Sequence, residues 1–394
     1  PRLMEPNKSD SIDPIELSQR LIRCPSVTPI EGGALDELQA VLEGIGFKCT
    51  RLVFSESGTP DVDNLYARIG DDGPNFCFAG HSDVVPPGLS SEWSGDPFSG
   101  MIADGKLFGR GSSDMKSAIA AFVAAAERFI KEKFDKGRFS ISLLITGDEE
   151  GPAINGTVKV LEWMEENNEK INCCIVGEPT NPDFLGGMAK IGRRGSLTGW
   201  LTVFGTQGHT AYPHLADNPL SRLVKMLAPL SEETLDEGTK YFPPTTVAIA
   251  SIDTGNSASN VIPNKATATF NIRFNDSRTS EEIENWLRNI FEEVGGKFEL
   301  ETACSSNAFI TQPGALSEDL VDAVKEITGL SPELSTTGGT SDARFIRKYC
   351  PVIEFGGVGK TMHKINEHVE VEDIRVLSDI YFALLRRFFS RFSG

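Results

Sequence analysis

The chain lacks the features that would tie it to a membrane, to nucleic acid or to an oxidising compartment. No uninterrupted apolar run in its 394 residues approaches the roughly 18 needed to cross a bilayer. No signal-peptide pattern opens it, and Pro1 to Leu3 ahead of Met4 read as residues foreign to a natural start, so a cytoplasmic protein is expected. Basic residues are scarce, 38 Lys and Arg against 56 Asp and Glu, for a formal charge of -18. Phosphate backbones need a basic face, which excludes bulk nucleic-acid binding. An anionic small-molecule substrate would have to be drawn in by a few local arginines against the global field. The seven cysteines are odd in number and form no CxxC pair; with apolar neighbours such as Phe76 and Phe78 around Cys77, they read as buried reduced thiols. Disorder is excluded too, since 39% hydrophobic and 24% charged residues match ordinary globular chains.

What is present is the pattern of two or three domains. Amphipathic helices are expected over 14–23 and 34–45, and buried strands over 75–80, 139–146 and 171–177. A helix over 115–131 carries Ile119, Phe122, Val123, Ala126 and Ile130 on one face. Strands interleaved with helices predict an α/β domain whose sheet is covered on both sides. After about Gly195 the pattern changes to strands over 197–206, 245–253, 265–273 and 297–304, with helices near 218–230 and after the capping box of Thr279 and Glu282. That order is βαββαβ, an α+β unit. From about Thr311 the α/β pattern resumes, closing on a helix striped by Ile374, Leu377, Tyr381, Leu384 and Phe388. The expected division is 1–194 and 310–394 for one domain, with 195–309 inserted into it.

Histidine is rare, five in all, and its neighbours are informative. His81 follows a buried strand; Asp114 lies ahead of a helix in GRGSSD; Glu149 and Glu150 end LLITGDEE; Glu178 ends CCIVGE; His363 follows the apolar run 351–355. Loops at the carboxyl ends of strands in an open α/β sheet converge on one crevice. Two imidazoles and three carboxylates suit two divalent ions, one His and one carboxylate each, with a third carboxylate bridging. Nitrogen and oxygen donors without thiolate favour zinc, with cobalt or manganese as substitutes. Asp83, two residues past His81, can orient that imidazole. Adjacent Glu149 and Glu150 cannot both serve one ion equally well, so one is expected to bind metal and the other to act as a general base. Any one such residue after a strand is more often a cap or a solvated turn; five together are hard to attribute to chance. GGVGKT at 356–361 lacks the first glycine of a phosphate loop, and HKINEH at 363–368 lacks the HExxH order. His214 and His368 read as structural.

The runs GHSDVVPPG, GRGSSDMK, GDEEG, VGEPT and HKINEH resemble the binuclear-zinc aminoacylase and carboxypeptidase family of the M20 type, from about Asp13 to the C-terminus. The resemblance implies a zinc-peptidase-like catalytic domain, with a mixed sheet flanked by helices, and an inserted domain that pairs two subunits into a homodimer. It implies that His81 and Glu178 bind one zinc, that Glu150 and His363 bind the other, and that Asp114 bridges them. Glu149 becomes the catalytic base or acid and Asp83 the support for His81. A non-proline cis peptide is implied after Asp114. His209 of one subunit would reach the site of the other and help stabilise the oxyanion. The narrower runs GRRGS, QGHTAYPHLA, NVIP and STTGGTSD resemble members that hydrolyse N-succinyl-L,L-2,6-diaminopimelate to succinate and L,L-2,6-diaminopimelate, in lysine and diaminopimelate biosynthesis. In that comparison Arg193, Ser196, Asn260, Arg273, Gly339 and Thr340 bind substrate. Another deacylase of the family, such as an acetylornithine deacetylase, would share the metal residues; a binding protein that keeps the fold without catalysis would be expected to have lost one of them.

Overall fold

The structure, a computed structural model, describes residues 11–133 and 139–392; the expectation for Pro1 to Leu3 lies outside them. The chain divides into two compact units. The first comprises 1–191, 311–334 and 341–394, the second 192–310 and 335–340. The expected division did not foresee that Ser335–Thr340 groups with the second unit.

In chain order the main elements are α1 (Pro14–Ile22), α2 (Ala34–Gly44), β1 (Lys48–Phe54), β2 (Val62–Ile69), β3 (Asn75–His81), α3 (Ser117–Lys133), β4 (Ser140–Thr146), α4 (Thr157–Glu166), β5 (Cys173–Val176) and β6 (Met188–Lys190). There follow β7 (Gly195–Phe204), α5 (Pro219–Glu232), β8 (Thr246–Asp253), β9 (Lys265–Phe274), α6 (Ser280–Val294), β10 (Phe298–Ser306), α7 (Ala315–Thr328), β11 (Glu333–Ser335), α8 (Ala343–Ile346), β12 (Val352–Glu354) and α9 (Val371–Ser390).

The large sheet runs β1-β2-β4-β3-β5-β12-β6-β11. Its centre is parallel, β4 to β3, β3 to β5 and β5 to β12, while β1, β2 and β6 pair antiparallel, so the sheet is mixed. Every residue of β3 and β4 is buried, as expected of strands covered on both faces. The cover over β3 is aromatic. The ring of Phe122 on α3 stacks 4.5 Å from Phe78, and Tyr381 on α9 meets Phe78 edge-on at 5.7 Å. These contacts immobilise the strand that ends in His81.

The second unit carries the sheet β8-β9-β7-β10, with α5 and α6 supplying its apolar core. The capping box at the start of α6 is present: Glu282 donates its amide to Thr279, and Thr279 donates its amide to the Glu282 side chain.

Two local expectations are corrected, and the cis peptide after Asp114 is present as expected. The helix expected over 115–131 starts at Ser117, because Asp114 (φ -125°, ψ 92°) and Met115 (φ -139°, ψ 29°) are not helical. Not all cysteines are buried: Cys304 is exposed on β10, in a stretch where Ala303 and Ser305 are exposed as well.

Gly356, the first glycine of 356–361, serves the fold rather than a phosphate. A Cβ on Gly356 would collide with the backbone carbonyl oxygens of Gly177 and Glu178. Gly356→Ala is therefore expected to destabilise by about 1–3 kcal/mol, read as a lower urea midpoint. An unchanged midpoint would show that this backbone can give way.

Candidate metal centre

His81 is 1% exposed at the end of β3. Its Nδ1 lies 2.8 Å from the carbonyl oxygen of Asp83 and donates to it, which leaves Nε2 facing inward, the nitrogen available to a metal once it gives up its proton. That Nε2 is 3.1 Å from Asp114 Oδ1, 3.5 Å from Glu178 Oε1 and 3.9 Å from Glu149 Oε2. The other oxygen of Asp114, Oδ2, is 3.1 Å from Nε2 of His363, which in turn is 2.9 Å from Glu150 Oε1. The Asp114 carboxylate thus stands between two imidazoles and presents one oxygen to each.

Several features fit these residues to divalent cations. Among the described residues, His81 with Asp114 and Glu150, and His81 with Glu149 and Glu178, have ligand-type atoms within 4.8 Å of one another. Glu178 Oε1 is buried without a hydrogen-bond partner, a costly state for a carboxylate that a cation would relieve. The charges are also crowded. Burial, and then the charge of Glu178, push the Glu149 carboxyl well above its ordinary range. Burial and then Asp114 push Glu178 up to about 7. Hydrogen bonds to Asp114 and then Glu150 raise the His363 imidazole to about 10. Burial opposes a charged His81, but Glu178 and the hydrogen bond to Asp114 outweigh it and raise its pKa. Without a cation the cluster holds its carboxylates together with protons; a divalent ion would displace them and favour the ionised acids.

The linkage has a definite sign. In the metal-free protein His363 gains partners on folding, so its contribution to stability is fully present below the ordinary imidazole pKa of about 6.5 and is lost as pH rises through about 10.

Asp83 does more than support His81. Its carboxylate is 3.5 Å from His81 Nδ1 and accepts the backbone amides of Glu149 at 3.2 Å and Glu150 at 3.1 Å, so it fixes the start of the acidic pair as well. Burial would raise its pKa, yet the hydrogen bonds from His81 and these amides hold it below the usual carboxylate range. Glu150, not Glu149, is the acid against His363. The expectation that all five residues follow strands fails for Asp114, which sits in the irregular turn Ser112–Lys116 ahead of α3. It also fails for His363, which lies in a loop well past β12 with φ 61°.

The remaining expected site residues lie in the second unit. Arg193 donates to the Gly339 carbonyl at 3.3 Å. Ser196 and Arg273 are register partners on β7 and β9, tied through Asn271, which donates to Ser196 at 3.2 Å and accepts from Arg273 at 3.0 Å. The Thr340 hydroxyl is buried without a partner. Asn260 is exposed, and its carbonyl accepts from the Thr210 amide at 3.1 Å. His209 is exposed on the short strand Gly208–His209, with Nδ1 accepting the Ala211 amide at 3.0 Å.

Other residues escaped the sequence reading. Arg194 has a buried Nε without a hydrogen-bond partner, and burial together with neighbouring Arg273 lowers its pKa. Its doubled position in GRRGS was the available signal. Asp148 and Asp342 are buried acids raised to about 6, in both cases chiefly by burial. Nothing in their spacing distinguishes them from turn residues. Glu367, within HKINEH, is fully buried against Arg110.

A profile of the peptidase family M20/M25/M40 matches residues 77–387. The chain is 60% identical over 378 residues to a succinyl-diaminopimelate desuccinylase of Rhodospirillum centenum, covering 96% of this chain and 98% of that one. It is 58% identical to a succinyl-diaminopimelate desuccinylase of Parvibaculum lavamentivorans, with 96% of each chain covered. In fold it is similar to an M20 family metallo-carboxypeptidase of Sulfolobus solfataricus, with a TM-score of 0.75 at 18% identity, covering 95% of this chain and 99% of that one. A tripeptidase of Staphylococcus aureus is similar at a TM-score of 0.76 and 19% identity, covering 97% of this chain and all of that one. With its mixed α/β sheet and the profile match over most of its length, the chain belongs to the peptidase family M20/M25/M40.

Proposed function

We propose that the protein hydrolyses the amide of N-succinyl-L,L-2,6-diaminopimelate to succinate and L,L-2,6-diaminopimelate, as a cytoplasmic enzyme of lysine and diaminopimelate biosynthesis with two zinc ions per subunit. The observation that carries this is the end-to-end likeness to desuccinylases in a chain where no expected metal or catalytic position is missing. Cobalt or manganese could substitute for zinc, since the donors are only nitrogen and oxygen.

His81 and Glu178 would hold one ion, Glu150 and His363 the other, and Asp114 both. When bound, such ions act as Lewis acids on a carbonyl and lower the pKa of water. Glu149 takes the proton from the attacking water and passes it to the leaving amine. Its burial and then its crowding by Glu178 support that role, because a carboxyl with a raised proton affinity is a better base. Asp83 fixes the tautomer of His81 and the approach of the acidic pair. Arg193 and Arg273 bind substrate carboxylates, with Ser196, Asn260, Gly339 and Thr340 completing the contacts. Two subunits pair through the inserted domain, and His209 of each donates to the developing oxyanion in the other. The exposed imidazole of His209 supports this reading.

A substrate panel tests the assignment. Succinyl-diaminopimelate should be cleaved far faster than acetylornithine; the reverse order would move the chain to another deacylase of the family. Zinc binding provides a second check. At pH 7 the metal-free His363 is protonated, so zinc must release at least its proton, and apparent affinity should climb with pH by about tenfold per unit per proton released. Calorimetry in buffers of different ionisation enthalpy reads the proton count. Zinc binding without proton release would contradict the ligand role of His363.

A further inference from the structure

Asp114 and His363 come from segments far apart in sequence, and each is held on irregular backbone rather than on a strand or a long helix. What fixes them relative to each other is a buried ion pair that the mechanism does not use. Glu367 is 0% and Arg110 2% exposed. One oxygen of Glu367, Oε2, accepts the backbone amides of Ser113 at 2.9 Å and of Asp114 itself at 3.2 Å. The other, Oε1, accepts from Arg110 Nη1 at 2.9 Å. The same Nη1 donates to the carbonyl of Lys364, the residue after His363, at 3.0 Å, and Nη2 donates to the Pro86 carbonyl at 3.3 Å. Around the pair, the Glu367 carbonyl accepts the Gly109 amide at 2.9 Å, and Ser113 Oγ donates to Val358 at 2.8 Å. The guanidinium also lies over Trp93, 5.2 Å from the ring centroid.

We propose that Glu367 and Arg110 are positioning residues for the metal centre, a carboxylate–guanidinium clamp that joins the turn bearing Asp114 to the loop bearing His363 and so sets the affinity of the ion held between them. The proposal rests on the reading of Asp114 and His363 as metal ligands. Its physical content is reach and rigidity. His363 is on an exposed loop, its side chain 48% accessible, and the strand and helix packing that immobilises His81 is not available to it. The fork of Arg110 grips that loop by its backbone, and Glu367 transmits the grip to the amide of Asp114. Support of this kind behind a ligand is typically worth about 10- to 100-fold in metal affinity. His81 and Glu178, held by β3 and β5, do not depend on the clamp.

The test is a stepwise zinc titration of chelator-stripped, full-length protein by calorimetry, alongside the unfolding midpoint of the metal-free form. Glu367→Gln keeps the shape, but its amide meets donors on both sides, the backbone amides and the guanidinium. It should weaken the second zinc by about 10- to 100-fold and the first, which shares Asp114 but keeps His81 and Glu178, by a smaller factor. Arg110→Lys keeps the charge but not the fork, and should weaken the same zinc by at least about threefold. It also covers the case in which Glu367→Gln fails to fold. A purely structural pair would lower the metal-free midpoint yet leave both zinc affinities of the folded variants unchanged, and that result overturns the proposal. His363→Ala is the control on the underlying reading. If it leaves the second zinc untouched, the ligand assignment fails and the proposal falls with it. If it removes that zinc while Glu367→Gln and Arg110→Lys do not weaken it, only the clamp fails.

Discussion

Glu149→Ala is expected to give a folded protein that still binds zinc but turns over between about 10² and 10⁴-fold more slowly, the range for loss of a positioned general base. Three observations separate Glu149 from its neighbour. Glu150, not Glu149, contacts His363, at 2.9 Å. Glu149 stands 3.9 Å from His81, the longest of that imidazole's carboxylate contacts. Its proton affinity is raised by burial and by Glu178, which prepares it to accept a proton. Because the backbone amides of both glutamates are held by Asp83, truncating one side chain should leave the other in place. The check is single-turnover kinetics together with zinc content. Near-normal turnover in a zinc-loaded variant would remove Glu149 from the mechanism. Loss of zinc along with activity would make it a ligand instead.

His209→Ala should retain zinc and the dimer while losing about 10²- to 10³-fold in turnover, as for removal of an oxyanion donor. The shared-site reading makes a sharper statement. Mixing this variant with Glu149→Ala and allowing subunits to exchange produces hybrid dimers in which one site has both residues intact. With random exchange of equal amounts, activity should recover to roughly a quarter of wild type. No recovery after verified exchange would confine His209 to its own subunit or to no catalytic role. The imidazole is exposed and its contacts are local, with the Ala211 amide and the ring of Tyr212, so its removal should cost the fold little.

Much of this was legible because it is written locally. The aromatic and aliphatic face of α3, the apolar cores of the fully buried β3 and β4, and the capping box of α6 are each set by residues within a few positions of one another. The residues that converge at the metal centre were legible for a related reason: ligand-type side chains interrupt apolar or glycine-rich runs, where a merely solvated residue has no need to be. Strands β1 and β2 escaped because β1, with Lys48, Thr50 and Arg51, has no buried residue, and a polar Asp and Asn in β2 blur the apolar signal. Ser335–Thr340 carries no local mark of belonging with the second unit. Thr336 is tied to it by a hydrogen bond to the Tyr241 carbonyl, 95 residues away in sequence. Glu367 is the clearest omission. Its partners at Ser113 and Asp114 are 254 and 253 residues distant, and only the fold reveals that this glutamate is a buried clamp rather than a surface charge.

The most direct measurement is succinate release from N-succinyl-L,L-2,6-diaminopimelate by chelator-stripped protein, before and after zinc is added back. The account predicts no release from the stripped protein and recovery on loading zinc, with His81, Asp114, Glu150, Glu178 and His363 holding the ions. A verified zinc-loaded dimer that releases no succinate would contradict it.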